Sequence, residues 1–87
     1  MTPIKEVKAM KTVQISLNSI DKVKSFVNDI TKFDYDFDLV SGRYVIDAKS
    51  IMGIFSLDLS KPIDLAIHAD SEANMDEILE ILKPYMV

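Results

Sequence analysis

Three stretches of this chain alternate apolar and polar residues with a period of two, and two others repeat their apolar residues every three or four positions. The first kind of pattern gives a strand with one buried face, the second an amphipathic helix. Val13, Ile15 and Leu17 alternate with Thr12, Gln14 and Ser16. Phe33, Tyr35, Phe37 and Leu39 alternate with Asp34, Asp36 and Asp38, and Ile63, Leu65 and Ile67 with Asp64, Ala66 and His68. Strands are thus expected over Thr12–Leu17, Phe33–Leu39 and Ile63–His68. The turn dipeptide Ser41-Gly42 makes Arg43–Asp47 a further strand, closing a hairpin.

The helical spacing falls on Ile20, Val23, Phe26, Val27 and Ile30, with Lys22, Lys24, Asn28 and Asp29 opposite. Asn18 and Ser19 are good N-caps, because their side-chain oxygens accept from orphan backbone amides. Asp21 in the first turn and Lys32 near the end both suit the helix dipole. A last helix carries Met75, Ile78, Leu79, Leu82 and Met86 on its apolar stripe, with Asp70 and Ser71 as candidate caps. Pro84 weakens its final turn, because it removes a backbone donor. Ile51, Met52, Ile54 and Phe55 do not alternate, so Ser50–Ser56 is read as a short helix capped by Ser50.

The order β-α-β-β-α-β-α predicts an α+β domain, a four-stranded antiparallel sheet with helices on one face. A ferredoxin-like fold would need a closing strand, and Tyr85, Met86 and Val87 are too few to supply one. Eighty-seven residues suffice for one domain. Residues 1–10 read as an N-terminal extension, a fraying tail in which Pro3 opposes a strand and Ile4, Val7 and Met10 recur at helical spacing. Residues 11–87 then form the domain.

Composition removes several functions. No cysteine is present, which rules out disulfides and thiolate metal sites. Ten basic against fourteen acidic residues give a net charge of −4, the wrong balance for a nucleic-acid binder or a polybasic membrane anchor. The chain lacks a signal-peptide core and any run of eighteen apolar residues, so a soluble cytoplasmic protein is expected. Asp34, Asp36 and Asp38 open like a calcium loop, but the glycine and glutamate such a loop needs are replaced by Leu39 and Val45. They read as a solvated strand face that discourages edge pairing, not as a metal site. His68 is the sole histidine, so no catalytic triad is legible. Gly42 and Gly53, the two glycines, make no phosphate-binding loop. No cofactor and no enzymatic activity are expected.

The segment Lys49-Ser50-Ile51-Met52-Gly53-Ile54-Phe55-Ser56-Leu57 carries the remaining information. Ser50 caps the short helix, and its apolar residues either join the core or leave Ile51, Met52 and Phe55 as an exposed docking patch. Lys49-Ser50-Ile51-Met52-Gly53-Ile54 closely resembles the regulatory-serine motif of HPr, the phosphocarrier of the bacterial sugar phosphotransferase system. The resemblance runs from about Lys11 to Met86 and implies that family's fold, an open-faced β-sandwich. It also implies a phospho-accepting histidine in a Gly-Leu-His-x-Arg-Pro setting at the start of the first helix. Here the histidine position falls on Ser19, the arginine position on Asp21 and the proline position on Lys22.

A hydroxyl offers no imidazole nitrogen for a phosphoramidate, and a carboxylate repels a phosphoryl group that a guanidinium would clamp. The chain resembles HPr paralogues of Gram-positive bacteria that lack the histidine and act in carbon catabolite repression as serine-phosphorylated corepressors. That resemblance implies a regulatory module phosphorylated on Ser50, docking through Ile51, Met52 and Phe55, with Lys49 offsetting part of the phosphate charge. Its partners would be proteins: a serine kinase, a transcription regulator or phosphotransferase components. The alternatives are a phosphocarrier in a phosphotransferase chain and a diverged small binding module in which Ser50 is only a helix cap.

Overall fold

A computed structural model describes residues 9–69 and 71–87. The elements are β1 (Ala9–Ile15), α1 (Ile20–Ile30), β2 (Asp36–Ser41), β3 (Tyr44–Asp47), α2 (Ile51–Phe55), β4 (Ile63–Ala69) and α3 (Glu72–Leu82), followed by a 3₁₀ turn at Lys83–Tyr85. The strands form one sheet in the order β1-β4-β2-β3, all pairs antiparallel, with the helices on one face. Architecture and element order are those expected from the sequence.

β4 and β2 are the two interior strands, and β4 carries the longer pairing. It pairs with β1 from Ala9↔Ala69 to Ile15↔Ile63 and with β2 from Asp36↔His68 to Val40↔Asp64. Its inward residues Ile63, Leu65, Ile67 and Ala69 are all buried, and its outward residues are half-buried. The helices close over this face with Val23, Phe26 and Ile30 from α1, Ile54 from α2, and Met75, Ile78 and Leu82 from α3. The β2–β3 hairpin turns at Gly42, whose φ of 61° lies in the left-handed region that glycine enters without a Cβ clash.

Several boundaries differ from the sequence reading. β1 starts at Ala9, so Ala9 and Met10, assigned to the extension, belong to the sheet and oppose Ala69 and His68. The end of β4 offers them backbone groups that need partners. The helical spacing at Ile4 and Val7 lies outside the described residues, as does Asp70; Ser71 caps α3, its Oγ accepting from the Asn74 amide at 3.2 Å. Pairing in β2 begins only at Asp36. Phe33 and Tyr35 alternate because their rings pack at the margin of the core, stacked with centroids 6.2 Å apart, while the Phe33 amide closes α1 on the Ile30 carbonyl. Leu17 is fully buried but follows β1 instead of belonging to it. Ile20, expected in the buried stripe of α1, is 61% exposed at the helix start.

The C-terminus departs furthest. Pro84 ends α3 in the 3₁₀ turn, and Met86 leaves the helical stripe to bridge Ile15. The Ser16 amide donates to the Tyr85 carbonyl at 2.7 Å, and the Val87 amide to the Gln14 carbonyl at 3.2 Å. The segment is thus tied to the edge of β1 by a single bridge, without adding a strand. Tyr85 anchors this segment: its ring meets Phe26 edge-on at 5.6 Å, and its hydroxyl donates to Asp29 Oδ2 at 2.9 Å.

Burial of the phenol, and then the Asp29 carboxylate that accepts its proton, hold the Tyr85 pKa above its ordinary value. The unfolded chain therefore ionises this tyrosine first, and the Tyr85 contribution is complete below about pH 10 and lost above it. Urea unfolding followed from neutral to alkaline pH should show wild-type stability falling more steeply above about pH 10 than that of Tyr85→Phe. At neutral pH the variant should be weaker by about 1 kcal/mol, the value of the lost hydrogen bond.

Candidate functional site

The chain leaves β3 through a tight turn that presents Ser50. Asp47 Oδ1 accepts from the Lys49 amide at 2.9 Å, and the Asp47 carbonyl accepts from the Ser50 amide at 2.9 Å. Buried Ala48 pins the turn to the sheet, its amide donating to the Phe37 carbonyl at 2.8 Å. Ser50 is left exposed with extended backbone, φ −93° and ψ 101°, as the N-cap of α2. Its Oγ accepts from the Gly53 amide at 3.2 Å, and its carbonyl accepts from the Ile54 amide at 3.0 Å.

A helix of five residues cannot bury every side, and the two readings of its apolar residues divide between them. Ile54 is fully buried and anchors α2, whereas Ile51 is half-buried at the margin of the core. Met52 is 78% exposed and Phe55 41%. The free apolar surface next to Ser50 is therefore Met52 and Phe55, with Ile51 contributing only part of its side chain.

Lys49 does not stand beside Ser50 as a free cation. Its ammonium donates to the Phe33 carbonyl at 2.6 Å and lies 5.6 Å from the centroid of the Phe37 ring. The half-buried side chain reaches back to the Phe33 carbonyl in the loop between α1 and β2 and to the Phe37 ring in β2, and both stabilise its charge. Its positive charge is retained in these contacts, both of which are to uncharged groups.

The start of α1 is arranged in the same way as that of α2. Ser19 is its exposed N-cap, with Oγ accepting from the Lys22 amide at 3.2 Å. Asp21 lies exposed in the first turn, where a carboxylate favours the helix and disfavours an arriving anion. The imidazole of His68 is elsewhere, on the outer face of the sheet, with Nε2 3.3 Å from Asp38 Oδ2. His68 opposes Asp36 in the register, so Asp38 is its diagonal neighbour, close enough for long side chains to meet. Sequence reasoning missed this pair. The outward phase of both residues was legible, but the register that joins them was not. Asp36, Asp38 and Asp47 border an open groove with His68, and Asp34 precedes β2. Among the described residues no three histidine, cysteine, aspartate or glutamate side chains converge as a metal-ligand set.

The family model described as "PTS HPr component phosphorylation site" matches residues 22–84. Its matched stretch contains Ser50 and begins just after Ser19 and Asp21. No curated protein matches the chain. Solved structures do. A phosphocarrier protein HPr from Bacillus anthracis str. Ames is 29% identical, with a TM-score of 0.65 over 92% of this chain and 98% of its own. HPr-C-His from Thermoanaerobacter tengcongensis is 25% identical, with a TM-score of 0.62 over 85% of each chain.

Two substitutions separate the roles of the neighbours Lys49 and Ser50. Lys49→Ala should lower stability by about 1–2 kcal/mol, because it orphans the Phe33 carbonyl and uncovers the Phe37 ring. Ser50→Ala should cost about 1 kcal/mol through the lost cap. Both are read from the denaturant midpoint; an unmoved midpoint in Lys49→Ala would show that the ammonium is free in solution.

Proposed function

The chain belongs to the HPr family of the phosphotransferase system, and from that premise we propose that it is a regulatory interaction module switched by phosphorylation of Ser50. The observation that carries this reading is the exposed Ser50 hydroxyl beside the exposed side chains of Met52 and Phe55. The start of α1 supports it from the other side: Ser19 and Asp21 occupy the positions where the resemblance expects histidine and arginine. The protein has no catalytic turnover of its own and works by docking.

A serine kinase would bring the γ-phosphorus of ATP to Ser50 Oγ. The oxygen–phosphorus bond forms as the bond to the departing ADP breaks, and the hydroxyl proton leaves to a base of the kinase. The product carries about −1.5 to −2 additional charges and three strong acceptor oxygens at the rim of an apolar patch. The phosphorylated surface then favours a partner that places arginine or lysine beside an apolar pocket, and disfavours an acidic one. The net charge of −4 opposes the added anion, but repulsion between exposed charges is screened beyond about 8 Å at physiological salt. The partners are a serine kinase and a transcription regulator or phosphotransferase component, in the cytoplasm.

A carrier role is the second reading, favoured by the phosphocarrier named in the Bacillus anthracis structure. One pair of incubations separates the two. With the serine kinase and ATP, mass spectrometry should map a single phosphate to Ser50, absent in Ser50→Ala. With phosphoenolpyruvate and the general phosphotransferase enzyme, no acid-labile phosphate should form. Stoichiometric label on His68 or any other residue in the second incubation would establish the carrier instead. A Ser50 untouched by the kinase would leave that serine as a helix cap alone.

A further inference from the structure

Gly53 is the third residue of α2, and its backbone does not require glycine. Among the described residues only Gly42 has a positive φ. Glycine in a helix is disfavoured against alanine, because more backbone freedom is lost and no side chain is gained. Capping does not require glycine either. The Ser19 and Ser71 hydroxyls accept from the third helical residue at the same 3.2 Å, and those residues are Lys22 and Asn74. What Gly53 supplies is clearance in a tight place. A Cβ built on it would lie 3.2 Å from Ser50 Oγ and 3.4 Å from Ile46 Cδ1.

We propose that Gly53 sets access to Ser50, its missing side chain leaving open the flank by which a phosphoryl donor reaches the hydroxyl oxygen. The inference rests on the reading of Ser50 as the modified residue and adds a determinant of that modification. One lone pair of Oγ is occupied by the Gly53 amide, so attack must use the other, with the γ-phosphorus in line with the departing ADP. The oxygen–phosphorus bond forms as the bond to ADP breaks, and the hydroxyl proton passes to a base of the kinase. A methyl group at Gly53 crowds that same oxygen. It leaves the cap hydrogen bond in place, as Lys22 and Asn74 do at the other two helices.

The test compares Gly53→Ala with wild type by two readouts. In the first, the serine kinase and ATP should phosphorylate Gly53→Ala more slowly by about tenfold, as expected when the reacting atoms are held slightly out of line. The thermal midpoint should move by only a few degrees, since the better helix propensity of alanine is opposed by the close contacts of its Cβ. Adding Ile46→Val removes Cδ1 and so relieves the other close contact. If the double variant recovers the wild-type rate, the effect runs through Ile46 and the proposal falls. The second readout needs no kinase. The protein has no cysteine, so Ser50→Cys places a single thiol at the site. Its thiolate alkylation rate with iodoacetamide, taken from a pH profile, should drop severalfold when Gly53→Ala is added. Equal thiolate rates would overturn the proposal. A wild-type protein that the kinase ignores would overturn the regulatory reading of Ser50, while the alkylation rates would still decide whether Gly53 governs access.

Discussion

Strand β4 holds the domain together, because β1 and β2 each pair with it and meet nowhere else in the sheet. It is the last of the four strands in the chain and is inserted between β1 and β2. Its inward residues Ile63, Leu65 and Ile67 are the floor on which the helices rest. Both crossovers follow from its position. The chain passes over the sheet through α1 to reach β2, and again through α2 to return from β3 to β4. The two crossover helices therefore start where the chain leaves a strand, and each start carries an exposed serine cap, Ser19 in one case and Ser50 in the other.

What distinguishes those two starts is their surroundings. Ser19 precedes an eleven-residue helix with a carboxylate in its first turn. Ser50 precedes five residues, of which Ile54 fixes the helix to the core while Met52 and Phe55 remain outside. A short helix tied down by one buried side chain exposes apolar surface by geometric necessity. An exposed, polarizable methionine next to an aromatic ring suits a partner surface that must be met by side-chain adjustment. Lys49 supports the segment by bonding the Phe33 carbonyl, and the Ser50 backbone amide closes the turn on Asp47 without using the hydroxyl. The hydroxyl takes no part in those turn bonds, so it can change chemically while the turn stays in place.

The strands and helices were legible wherever a half-buried face imposed its own period. β4 reads cleanly because all of its alternate residues are inside. Phe33 and Tyr35 misled because aromatic rings can pack in alternation along a loop that makes no ladder. Ala9 and Met10 showed no alternation, and their place was set by the backbone groups of Ala69 and His68 opposite. The bridge at Met86 was hidden by Pro84, which ends a helix visibly but says nothing of where the chain goes next. At the candidate site, Ser50 as a cap followed from local sequence. The reach of Lys49 to a carbonyl sixteen residues earlier did not, since no spacing rule encodes it. The same holds for the His68–Asp38 pair, which depends on strand register.

The central claim is that Ser50 is a chemical switch on a fold that does not move when it is thrown. A heteronuclear amide spectrum of the isotopically labelled protein, recorded during treatment with the serine kinase and ATP, tests it directly. The account predicts large shifts confined to the Ser50–Gly53 amides and their immediate neighbours, with the β1, β2 and β4 amides unmoved. An unchanged Ser50 amide, or shifts spread through the sheet, would contradict it.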